Sequence, residues 1–191
     1  KVQPKAQWRT SSRITNRIRS DEGLAYPARS AFPGGAFYPV VFRAGFQSKS
    51  RTVAYATSIV LEEIERITQE LVTAEELLTT KKSFTDTFPN NFASAAQVVS
   101  AFAHDEMIGR YAKQPNYWAD YRDKIESVDI AAVQHVAKQR LKLDQVIILI
   151  VGQKEEILKG HPDHPVNLGR LAKGGVKELP MRDPLTMEPI K

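Results

Sequence analysis

At Gln47 the spacing of apolar residues along the chain changes, and this change constrains the fold more than any other feature. Before it, Tyr38, Val40, Phe42, Ala44 and Phe46 alternate with other residues, the period of a half-buried strand. After it, Val53, Ala56, Val60, Ile64, Ile67 and Leu71 recur at steps of three and four, the period of an amphipathic helix with Glu62, Glu63, Glu65 and Arg66 on its flank. A chain that switches period in this way needs both a sheet and helices to cover it.

Punctuation around the switch refines the picture. Ser11 or Ser12 caps a first helix running to about Asp21, with Ile14 and Ile18 on its apolar face and Gly23 as its stop. Residues 24–32 read as extended, and Pro33-Gly34-Gly35 reads as the turn of a hairpin with the alternating segment. Further on, Thr73 and Glu76 form a capping-box pattern that opens a helix towards Phe88, and Pro89-Asn90-Asn91 breaks it. Helical spacing resumes over 92–111 and again from Pro115 to about Val128. Asp129 caps a last long helix that turns Ile130, Val133, Val136, Ala137 and Leu141 inward.

Residues 145–151 are then expected to form a buried strand, rich in Val, Ile and Leu and closed by Gly152. Beyond Gly160 the composition turns to Pro, Gly and charge, a surface-wrapping or partly disordered tail. The expected class is α+β, with helices packed on one face of a mixed, largely antiparallel sheet. Three strands make a thin sheet for so many helices. The chain is therefore expected to be a piece of a larger domain, or to receive strands from its N-terminal residues or from a partner.

Residue counts exclude several chemistries. There is no cysteine among the 191 residues, so disulfide scaffolds, thiolate metal clusters and cysteine nucleophiles are absent from its repertoire. Only four histidines remain for a metal, His104, His135, His161 and His164. His161 and His164 stand three apart in a proline-flanked loop, but a metal needs a third placed ligand. His104-Asp105-Glu106 falls on a helix, where adjacent residues point apart, and reads as solvated or hydrogen-bonded helix surface. Neither HExxH nor HxxEH occurs, nor a GxSxG elbow, nor a phosphate loop after Gly34-Gly35 or Gly174-Gly175. No apolar run approaches the roughly 20 residues of a membrane span.

The formal charge of +5 is local. Lys1, Lys5, Arg9, Arg13, Arg17 and Arg19 precede the first acid at Asp21, and beyond them 21 basic residues face 22 acidic ones. Lys5, Arg9, Arg13 and Arg17 share a four-residue step and would line one helical face, which suits either an acidic neighbour or a phosphate backbone. Without interleaved aromatics or a recognition motif, a nucleic-acid role is not the expectation. The chain starts with Lys rather than Met and shows no signal-peptide pattern, so its start is expected to be a processing boundary.

Two residues stand out near this basic end. Arg19 lies in the last turn of the first helix, and Tyr26 opens the strand beyond Gly23. A guanidinium and a phenol at one corner form a donor pair suited to a peptide carbonyl or a developing oxyanion. Charge pairing at the helix end and packing on the sheet are the plainer roles for the same two side chains.

The segment SSRITNRIRSDEGLAY, residues 11–26, resembles the SSRL…LRE…GLAY motif in the C-terminal half of the pitrilysin/insulinase family of zinc metallopeptidases. The hairpin, the long helix over 53–71, the VTAEEL helix start, the stretch 88–96, the helix over 128–141 and the IILIVG strand resemble the same profile in order, over about residues 11–158. The resemblance implies a domain at 11–158, an N-terminal remnant or linker at 1–10 and a Pro/Gly-rich tail at 159–191. In that family one half carries HxxEH and zinc, and the other contributes an Arg and a Tyr near the scissile bond, which here fall on Arg19 and Tyr26.

This resemblance implies a non-catalytic C-terminal domain or partner subunit that binds no cofactor itself, pairs with an HxxEH-bearing partner holding the zinc, takes a peptide substrate and admits a homo-oligomer. It also implies a setting such as the bacterial periplasm. The chain departs from the family where Gln7-Trp8-Arg9-Thr10 replaces a glycine-rich run, and where a preceding strand and helix have no counterpart. Pro27 after Tyr26 removes a ladder donor and marks a sheet edge or a bulge. The alternative role is a structural or assembly module of the same fold with no part in proteolysis.

Overall fold

The computed structural model describes residues 12–32, 37–172 and 174–190, with the Tyr26 side chain outside the description. Ser12 caps the first helix as expected, its hydroxyl accepting from the Thr15 amide. An α-helical turn, α1 (Arg13–Thr15), runs on into a π-helical segment, Asn16–Asp21. The wider turn is closed by the Glu22 amide donating to the Arg17 carbonyl at 3.1 Å. Gly23 then adopts φ +62°, which a side chain would resist, and the chain reverses into strand β1 (Ala25–Ala31).

β1 pairs antiparallel with β2 (Arg43–Ser48), so the hairpin is formed as expected. Its expected turn, Pro33-Gly34-Gly35, lies outside the described residues. β2 starts later than the alternation implied: Tyr38 is 82% exposed and Val40 precedes the strand. The register steps from Ala25↔Ser48 to Ala28↔Phe46, a bulge spanning Tyr26 and Pro27, where proline has no amide to give the ladder.

The long amphipathic helix, α2 (Val53–Gln69), lies beneath this hairpin and holds the core. Ile18 and Ile59 are fully buried, and Ile14, Ala25, Ala28, Val60 and Ile64 pack with them. Phe42, Ala44 and Phe46 from the hairpin close over the same cluster. Complete burial of an isoleucine side chain contributes about 2–3 kcal/mol, so this small cluster fixes the corner between the first helix and β1.

Helix α3 (Ala74–Thr87) opens with the expected capping box, Thr73 and Glu76 each meeting the other's amide. A 3-10 turn over Phe88–Phe92 replaces the break at Pro89 and leads to α4 (Ala95–Met107), α5 (Arg110–Lys113) and α6 (Tyr121–Glu126). Asp129 caps α7 (Ile130–Arg140) through the Ala132 amide at 2.7 Å. Ala137 faces inward as expected and Leu141 packs against the core, but Val136 is 54% exposed. With Ala137 facing α2, Val136 one residue earlier sits about 100° round the helix, off the packed face.

The larger correction concerns 145–151. These residues make no strand, and Ile147 is 93% exposed, with Leu149 and Val151 each at 78%. Among the described residues no backbone group pairs with 146–151, so the local preference for extended backbone has no ladder to join. The class is α+β, and among the described residues the sheet has two antiparallel strands, with 145–151 not adding the third that was expected. Beyond it lie α8 (Lys154–Lys159) and, within the expected tail, α9 (Leu168–Leu171) and a short bridge between Arg182 and Pro189.

Candidate functional site

The corner that carries Arg19 and Tyr26 is braced from three sides. Arg13 donates through Nε and Nη2 to both oxygens of Glu76, at 2.7 and 2.9 Å, tying the first helix to the start of α3. One turn on, Arg17 meets the carboxylate of Glu63 at 3.0 Å, and that carboxylate, 2% exposed, also accepts from Arg66 at 3.1 Å. The Thr15 hydroxyl donates to the Ala28 carbonyl at 3.2 Å, fastening the helix to β1.

For the described part of the basic series these contacts are the acidic neighbour that was one of its two expected uses. Arg13 and Arg17 are engaged with acids of α3 and α2, and Lys5 and Arg9 lie outside the described residues. Glu76 responds electrostatically: the Arg13 guanidinium, with the Thr73 amide and hydroxyl, pulls its pKa down to about 2 against the cost of partial burial.

Arg19 occupies the last turn of the π-helical segment and is exposed. Beyond it the Leu24 amide donates back to the Ile18 carbonyl at 2.9 Å, which closes the reversal around Gly23. Tyr26 sits as the second residue of β1, inside the bulge. The two residues therefore flank one reversal that is fixed at both ends. The bulge interrupts the ladder there, so the β1 backbone at Tyr26 departs from regular pairing with β2.

Tyr55 of α2 was not singled out by its sequence context. Burial, followed by the charge and hydrogen-bonding of Glu22, pushes its phenol pKa up, so the hydroxyl stands beside the acid that precedes Gly23. The other end of the ring system is covered by the chain beyond α8: His164 stacks on Tyr55 with centroids 3.8 Å apart at 6°, and His161 sits 5.6 Å from the same ring. His161 and His164 thus act as aromatic packing for the segment after α8, and the Asp163 amide donates to His161 Nδ1 at 3.1 Å. Among the described residues no group of three or more His, Asp or Glu is placed to hold a metal ion.

In a second polar cluster the hydrogen-bonded alternative holds for Asp105, but in the interior instead of at the helix surface. Asp105 of α4 is fully buried, not solvated; it accepts from the Trp118 indole N–H at 2.5 Å and stands 2.8 Å from Arg110 Nη1. Arg110 lies over the Tyr117 ring at 4.0 Å, and Phe88, Phe92 and Tyr121 pack about Trp118. The signal available in the sequence was the crowding of aromatics between Phe84 and Tyr121, which needs a buried polar anchor for the indole N–H. Two shallow clefts of about 500 and 490 Å3 border this region, and neither is lined by Arg19.

The braced reversal therefore sets the exposed Arg19 on one flank and the bulged start of β1 on the other. Compared with known proteins, the chain is matched by no family model and by no curated protein.

Proposed function

We propose that this chain is the non-catalytic C-terminal domain, or partner subunit, of a pitrilysin-type zinc metallopeptidase. In this reading it closes a peptide chamber over a partner that carries HxxEH and the zinc. Arg19 and Tyr26 donate to the substrate carbonyl as charge develops on its oxygen. In this reading the zinc belongs to the partner, this chain cuts nothing alone, and its contribution is orientation and charge stabilisation.

The observation that carries the reading is the reversal at Gly23. Its two flanks hold Arg19 and Tyr26, and ion pairs to Glu76 and Glu63 restrain the helix behind it. A donor pair meant for a transition state gains from such restraint, since little reorganisation remains to be made during the reaction. The test is reconstitution with an HxxEH-bearing partner half. Peptide hydrolysis should appear in the mixture, while the chain alone shows neither activity nor stoichiometric zinc. Failure to bind or assist any such partner under conditions where both are folded would remove the reading.

A second reading, an assembly module with no part in hydrolysis, draws on the exposed apolar residues of 146–151. The two readings separate at Arg19 and Tyr26, whose substitution leaves an assembly module intact.

A further inference from the structure

Between α8 and α9 the chain runs His161-Pro162-Asp163-His164-Pro165, and both imidazoles close on one ring of α2. His164 stacks flat on Tyr55, while His161 stands 5.6 Å from Tyr55 and 4.7 Å from His164, inclined to the latter at 62°. The loop is also tied to itself. The Asp163 amide donates to His161 Nδ1 at 3.1 Å, and the Val166 amide donates to the His164 carbonyl at 2.7 Å. At the start of the loop Gly160 adopts φ +70°, and at its end Asn167 caps α9, which packs on α2. The two histidine rings and α9 together join residues 160–172 to α2.

His161 can make its contact in one protonation state alone. A ring nitrogen that accepts an amide hydrogen bond carries no proton, so this imidazole is neutral, with its proton on Nε2. Protonation would place an N–H on Nδ1 against the Asp163 amide, turning the bond into an opposition of two donors. His164 differs, because it meets Tyr55 through its ring face, a contact that tolerates a cation. With both rings charged, two cations would stand 4.7 Å apart. Among the described residues, the charged groups on the elements packed here act in both directions. Glu22, Glu62 and Arg17 act on Tyr55, and Asp163 lies between the two histidines. Helix α8 carries Glu155 and the ion pairs Glu156–Lys159 and Lys154–Glu178, and α9 carries Arg170. The acids favour an imidazolium and the bases oppose it, but neither returns a lone pair to Nδ1.

We propose that the loop 160–166 is a pH-operated latch, which holds residues 160–172 on α2 while His161 is neutral and releases them when His161 takes up a proton. Histidine is the side chain whose charge changes between about pH 5 and 8. The sign follows from the bond. The released loop accepts the proton more readily than the latched one, so the latch weakens as pH falls. Release uncovers the Tyr55 ring, whose hydroxyl stands beside Glu22 next to the Gly23 reversal. The latch thereby couples acidification to the covering of that corner.

The test is residue-resolved amide exchange on the full chain by NMR, with histidine ring titration in parallel, from about pH 7.5 down to about pH 5. Exchange is expressed relative to the intrinsic rate at each pH. Protection of the Asp163, Val166, Arg170 and Ala172 amides, each a donor within the latched segment, should fall about fivefold or more at the midpoint of the His161 ring titration. Residues 43–48 should stay protected throughout. His161→Asn sets an oxygen acceptor near the place of Nδ1 and does not titrate in this range, so it should remove the pH dependence. Protection that is constant across the His161 titration, or that follows His164 or another histidine instead, would overturn the proposal. So would a native pH profile in His161→Asn, or a simultaneous loss at 43–48, which would make the change a global unfolding. No readout involves peptide hydrolysis, so this outcome is independent of the role of Arg19 and Tyr26.

Discussion

Arg13 grips both carboxylate oxygens of Glu76 across 63 residues of sequence, at 2.7 and 2.9 Å, while the same carboxylate receives the Thr73 amide at 2.8 Å. One side chain thus joins the first helix to the start of α3 and caps that helix. Because the Glu76 pKa falls to about 2 from an ordinary 4.5, its contribution to stability is complete above the unfolded value and disappears as pH falls from about 4.5 towards 2. Partial exposure screens the pair, leaving about 1–2 kcal/mol. Acid titration of the melting temperature should show this loss in the native chain and a flatter profile in Glu76→Gln. At neutral pH Glu76→Ala should cost about 2 kcal/mol through the combined loss of cap and ion pair, read by chemical denaturation.

Glu63 gives a prediction of a different kind. Its carboxylate is enclosed and shared between Arg17 and Arg66. Removing one arginine leaves the other, so Arg17→Ala and Arg66→Ala should each cost about 1–2 kcal/mol. The double variant strands a buried charge and should cost about 3–5 kcal/mol, more than the sum. A double-mutant cycle by urea unfolding measures the difference, and strict additivity would contradict the shared-carboxylate arrangement.

Asp105 anchors the second cluster. Asp105→Ala removes the acceptor of the Trp118 indole and the counter-charge of Arg110, and should destabilise by about 2–4 kcal/mol. Trp118 fluorescence should shift to longer wavelength, and amide exchange should accelerate over 108–120 while the hairpin stays protected. Trp8→Phe in the background isolates the Trp118 signal.

Local signals in the sequence were sufficient for the elements they govern. Ser12, Thr73 and Asp129 cap the helices that their side chains indicated, and Gly23 and Pro27 mark a positive-φ reversal and a bulge, because each effect lies within a few residues of its cause. Non-local partners were not legible. The apolar run at 146–151 has the composition of a buried strand, yet burial depends on a neighbouring ladder that periodicity does not encode. Likewise Asp105 looks like an ordinary helix acid until Trp118, 13 residues on, folds back to it. At the candidate site the positions of Arg19 and Tyr26 on either side of Gly23 were readable, whereas the bracing by Glu63 and Glu76, and the placement of Tyr55 beside Glu22, depend on long-range packing.

The most direct measurement of the proposed role is kcat/KM for peptide hydrolysis by the chain combined with an HxxEH-bearing half, comparing the native sequence with Arg19→Ala and Tyr26→Phe. Each substitution should lower kcat/KM by about ten- to a thousand-fold, the scale of a lost transition-state donor, with melting temperature and partner affinity unchanged. Native kinetics in both variants would contradict a catalytic contribution from this corner.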